Sequence, residues 1–105
     1  MKYSRMTVLM DEMWREIQAT RDAGQKEYAH NLDDVFRNFK STGLDLEINA
    51  MSVLWIFCKK HIDGITAYIK GHKSQREDVR GRIKDAIVYL ILLWAMIEEE
   101  ESDGN

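Results

Sequence analysis

Apolar residues recur along this chain at the three-and-four spacing of amphipathic helices, in successive stretches separated by glycine and polar residues. Met6, Met10, Met13, Trp14 and Ile17 predict a first helix over about residues 5–23, ending near Gly24, with Asp11, Glu12, Arg15 and Glu16 on the opposite face. Residues 25–43, with Tyr28, Val35, Phe36 and Phe39, predict a short connecting helix that Asn31 or Asp33 can cap. Asn49 can cap a third helix whose stripe runs through Met51, Leu54, Trp55, Cys58, Ile62, Ile65 and Ile69 before Gly71 stops it. Ser74 and Glu77 stand at capping-box spacing ahead of a fourth helix carrying Val79, Ile83, Ala86, Ile87, Leu90, Leu93, Trp94 and Ile97.

A short connection between the third and fourth helices predicts that they pack antiparallel. From Ala86 to Ile97 the fourth helix is apolar almost all round, more than one neighbour in a small domain can cover. The expected fold is therefore all-α, a small helical bundle built on a long C-terminal antiparallel hairpin and completed by homo-oligomerisation. Residues 1–97 form its single domain and 98–105 an acidic tail, disordered from about Glu100.

Composition agrees with this reading. The chain has 105 residues, no proline, 45% apolar and 31% charged residues, which suits one domain of uninterrupted helices. Cys58, the single cysteine, has no intramolecular partner, and Met1 to Arg5 lack the apolar run of a secretory signal, so a reducing cytoplasm is expected. The twelve-residue apolar run is short of the about 20 residues of a membrane span.

Charge alters the picture more. The net value of -3 includes five negative charges from Glu98, Glu99, Glu100, Glu101 and Asp103, while residues 59–84 carry a formal excess of five positive charges. That basic stretch can attract an anion. Nucleic acid is disfavoured as the partner, since the chain is acidic overall and has no recognition motif.

The chain has no Ser-His-Asp order, nucleophile elbow, glycine-rich phosphate loop or zinc-type Cys/His cluster. The informative polar residues lie on the expected hairpin: Lys60, His61 and Gly64 on the third helix, Asp78, Arg82 and Asp85 at spacings of four and three on the fourth. Asp85 stands at the mouth of the apolar run, where a carboxylate needs a partner, and Arg82 or His61 can serve. A structural ion pair and a ligand or metal site both fit that pattern. Glu12 and Glu16, one turn apart, can add carboxylates, although exposed charges on an amphipathic face are the commoner reading of such a pair. Lys26, Glu27 and Tyr28, followed by Phe36, Asn38 and Phe39, form a polar-aromatic cluster suited either to a base or to a core.

The order of these pieces resembles the all-α nucleotide pyrophosphohydrolases, the MazG-like superfamily, and especially its small phage-encoded members. The stretch from Lys26-Glu27-Tyr28 to Asn38-Phe39 is similar to the Asp-Tyr to Asn-Phe stretch of those proteins. Lys60 to Ile65 and Arg82 to Ile87 fall where the superfamily has its two metal-binding helices, so the resemblance covers about residues 25–97. It implies clustered carboxylates holding magnesium on a triphosphate. A typical member has Glu-Glu-x-x-Glu and Glu-x-x-Asp there; this chain has Lys60, His61 and Gly64, then Arg82 and Asp85. Asp85 alone keeps its carboxylate, so a metal would draw its other ligands from Asp63, Asp78, Glu12 or Glu16.

Three readings follow. In the first, the chain binds a nucleotide or nucleotide-derived signal between helices, with Lys60, His61, Arg80 and Arg82 on phosphate, Tyr28 or Phe36 on the base, and Asp85 orienting the cations or a metal. The second is an active magnesium-dependent nucleoside triphosphate pyrophosphohydrolase with a rearranged metal site. The third is a viral inhibitor that binds a host protein and no small molecule.

Overall fold

A computed structural model of the chain describes residues 1–28, 34–73 and 76–103, leaving aside the side chains of residues 26–28 and 103. The described residues form four helices: α1 Tyr3–Tyr28, α2 Arg37–Leu46, α3 Ala50–Ile69 and α4 Val79–Asp103. None is long and apolar enough to cross a membrane.

Local chemistry sets most of the helix ends. Asn49 caps α3 as expected, its side-chain oxygen accepting the Ser52 N–H at 2.7 Å. At the other end, backbone N–H groups of Lys70, Gly71 and His72 turn back onto Thr66, Tyr68 and Ala67, and Gly71 takes a positive φ of 102° that favours glycine. Helix α4 starts later than the Ser74–Glu77 capping box implies. Asp78 caps it, accepting the Arg80 N–H at 2.7 Å, which leaves Glu77 ahead of the helix; Ser74 lies outside the described residues. The same bond, with the Arg80 charge, holds the Asp78 carboxyl below its ordinary range.

Helix α2 is entered through Asp34, whose carboxylate accepts the Phe36 N–H at 2.9 Å and pairs with Lys40 at 2.8 Å. The expected caps, Asn31 and Asp33, lie outside the described residues. Helix α1 runs through Gly24 and ends five residues beyond the expected 23. A glycine inside a helix costs only about 1 kcal/mol against alanine, and packing of this half of α1 on α4 offsets it. Ile17 is buried there, and Glu16 reaches Lys84 at 3.8 Å.

Helices α3 and α4 pack antiparallel as the expected hairpin: Val53 and Leu54 share a core with Met96 and Leu93, while His61 meets Asp85 farther along. Phe36 and Phe39 complete that core from α2. Full burial of a side chain such as Leu54 contributes about 1.5–3 kcal/mol. The first half of α1 differs from expectation, since Met6, Met10, Met13 and Trp14 remain about half exposed. The acidic end differs too, being helical to Asp103. Trp94 donates to Glu98 at 3.1 Å and Lys40 approaches Glu99 at 3.7 Å.

Candidate metal and ligand cleft

A cleft of about 650 Å³ opens where α1, α2, α3 and α4 converge. Thr20, Arg21, Gly24 and Gln25 line it from α1, and the absence of a side chain at Gly24 leaves that wall open. Phe39, Phe57 and Tyr89 form an aromatic wall, with Phe39 edge-on to Tyr89 at 6.3 Å between ring centroids and tilted against Phe57 at 6.1 Å. Asn38 and Lys60 add polar groups, and His61, Glu77 and Asp85 stand together on another part of the lining.

His61 is the buried polar residue of α3, only 6% exposed, and its ring stacks on Tyr89 at 5.6 Å. Its Nδ1 is fully buried and has no hydrogen-bond partner among the described residues. Asp85 Oδ2 faces that nitrogen at 3.7 Å, beyond hydrogen-bond range. An unsatisfied buried nitrogen costs about 1–3 kcal/mol, so this geometry invites a third body. Glu77, set free ahead of α4 by the Asp78 cap, supplies a second carboxylate, and one ligand atom each from His61, Glu77 and Asp85 lies within 4.8 Å of the others. One imidazole nitrogen and two carboxylate oxygens can coordinate a metal ion. Tetrahedral ligands about 2.0–2.1 Å from a metal stand roughly 3.4 Å apart, so modest side-chain movement closes the set.

Arg82 lies beside this cluster. Its chain crosses α3 directly over Gly64, where any Cβ would collide with Cδ, Nε and Cζ. Its Nη1 is 3.9 Å from Glu77, and its Nε is buried without a hydrogen-bond partner among the described residues. Among the described residues Arg82 is thus the positive charge nearest Glu77, at a separation beyond hydrogen-bond range.

Of the residues expected at the site, Lys60, His61 and Asp85 line the cleft and Arg82 borders it. The others go elsewhere. Phe36, 3% exposed, belongs to the core and presents no face to a base. Arg80 is exposed on Asp78, and Asp78 is committed to its cap. Glu16 pairs with Lys84, Asp63 pairs with Lys59 at 2.8 Å, and Glu12 is exposed on α1 outside the metal-capable cluster. The side chain of Tyr28 lies outside the described residues. Glu77 as a ligand, and Tyr89 and Phe57 as walls, were not singled out by the sequence pattern. Glu77 was disguised by its capping-box spacing, and the two aromatics by their place in apolar runs.

Compared with protein-family models, with curated proteins and with solved structures, the chain matches none.

Proposed function

We propose that this chain is a small-molecule-binding protein that holds a divalent metal at His61, Glu77 and Asp85 and a phosphate-bearing nucleotide in the adjoining cleft. The observation that carries the reading is the buried Nδ1 of His61, which has no partner among the described residues and faces Asp85 at 3.7 Å. A donor set with one nitrogen suits manganese, iron, zinc or cobalt better than magnesium, which prefers oxygen ligands and retained water. The metal would neutralise phosphate charge, Lys60 would add a cation at the cleft, and the wall of Phe39, Phe57 and Tyr89 suits a planar base. The MazG-like resemblance points to the same ligand class.

Isothermal titration with manganese, zinc and magnesium, alone and with a panel of nucleotides, tests the reading. One metal per chain, with nucleotide affinity raised by the metal, is expected. Absence of both metal and nucleotide binding at millimolar concentration would overturn it.

Hydrolysis is a second reading, favoured by one observation: Glu77 restores a second carboxylate beside Asp85. A metal held there would polarise phosphoryl oxygens and acidify bound water. Metal-dependent release of pyrophosphate from a nucleoside triphosphate, lost in Asp85→Asn, distinguishes it from binding alone.

A further inference from the structure

Helix α4 carries two apolar stripes. Ala86, Tyr89, Leu93 and Met96 face the bundle, Ala86 and Met96 being buried and Tyr89 and Leu93 packed at the core. About a third of a turn round the helix runs a second row: Arg80, Ile83, Ile87, Leu90, Trp94, Ile97 and Glu101. Ile83, Leu90, Trp94 and Ile97 in this row are 40 to 68% exposed, and Trp94 is the most exposed of them. Its spacing alternates three and four without a break, the heptad pattern of a helix that packs along a partner helix.

The row is also close to symmetric about Leu90. Ile83 and Ile97 stand seven residues either side of it, Ile87 and Trp94 three before and four after, and basic Arg80 ten before and acidic Glu101 eleven after. A surface whose two halves complement each other is what a two-fold axis requires, because residue i meets residue j and j meets i. Charge along the helix follows the same rule: Arg80 and Lys84 stand near its start and Glu98 to Glu101 near its end. A parallel pair would set like charge against like; an antiparallel pair sets opposite charges together at both ends.

We propose that this row is the interface of an antiparallel homodimer, in which Leu90 meets its own mate on the two-fold axis and Arg80 lies against Glu101 of the partner subunit. The occupant is a second copy because the row's own residues supply both halves of the contact. The α4 residues that line the cleft, Asp85, Val88, Tyr89 and Leu92, lie on other faces of the helix. Metal and nucleotide binding therefore report independently of dimerisation.

Sedimentation velocity on the full chain tests the interface. A concentration-dependent dimer is expected, and Leu90→Asp should be a helical monomer by circular dichroism. Arg80→Glu and Glu101→Arg should each weaken association by roughly fivefold, and the two together should restore it. Cysteine cross-linking fixes the direction. Leu90→Cys should link to itself under oxidation, while Ile83→Cys should link to Ile97→Cys and not to itself; buried Cys58 is shielded from the reaction. A wild-type chain that stays monomeric at about 0.2 mM, a Leu90→Asp variant that still dimerises, or Ile83→Cys that links to itself would overturn the proposal.

Discussion

His61 Nδ1 and Asp85 Oδ2 face each other across 3.7 Å, a gap too long for a hydrogen bond and close to the span between two ligands of one metal ion. Even an outer partner of a metal ligand is worth about 10–100-fold in affinity. Asp85→Asn and Glu77→Gln should therefore each weaken metal binding by about tenfold or more, measured by titration calorimetry. Without metal, Asp85→Asn should change stability by no more than about 0.5 kcal/mol, since the pair is long and Asp85 is partly exposed. Acidification should also weaken uptake, because protons compete for the same ligand atoms.

Two glycines should respond differently to the same substitution. A Cβ at Gly43 would meet the Ile48 backbone carbonyl oxygen at 2.6 Å, and Ile48 is tied to that turn by its own N–H bond to Gly43. Gly43→Ala should destabilise by about 1–3 kcal/mol in chemical denaturation. At Gly64 the obstacle is the Arg82 side chain, which can swing away. The gain in helix propensity, up to about 1 kcal/mol, should leave Gly64→Ala near neutral in stability. Because Arg82 then leaves Glu77, metal affinity should rise.

The hairpin and its capping by Asn49 were legible in the sequence because an unbroken apolar stripe and a side-chain cap are local signals. His61 and Asp85 were also recognisable, Asp85 as a carboxylate at the mouth of the apolar run that needs a partner and His61 as a polar residue of the facing helix that can serve as one. Their meeting was not local, depending on the register in which α3 slides along α4. The same register explains Gly64, which stands three residues beyond His61 just as Arg82 stands three before Asp85. Phe36 misled as a ligand contact because an aromatic beside polar residues has the same pattern in a core and in a binding wall. Glu77 was hidden for the opposite reason, since its role arises only because α4 starts after it.

Asp34 and Lys40 give α2 a pH-dependent anchor. The Lys40 ammonium first, and the Phe36 N–H second, hold the Asp34 carboxyl below its ordinary value of 3.8, while Asp34 raises Lys40 above 10.5. Asp34 contributes stability that is fully present above the ordinary carboxylate range and is lost as pH falls through its lower folded value. Lys40 contributes below 10.5 and loses its contribution as pH rises through its higher folded value. Both groups are partly exposed, so the pair is worth less than about 1 kcal/mol. Asp34→Asn should lower thermal stability at neutral pH and converge with the parent in strong acid.

Cys58 should behave as an inert thiol until the hairpin opens. It is fully buried, and desolvation pushes its thiol above the ordinary 9.0, disfavouring the reactive thiolate. Labelling with an alkylating reagent should be slow in the native chain. Leu54→Ala, which removes a fully buried neighbour in the stripe at a cost of about 2–5 kcal/mol, should accelerate it in proportion to the opening population.

Helix α4 ends against its own electrostatics. Its last turn has no basic residue, and Glu98 to Glu101 place negative charge where the backbone dipole is already negative. Dissolved salt screens both repulsions, so the last turns of the helix should gain stability as ionic strength rises, counter to the usual salt weakening of surface ion pairs. The C-terminal turns thus make the chain a responder to its ionic surroundings, with helix content as the readout.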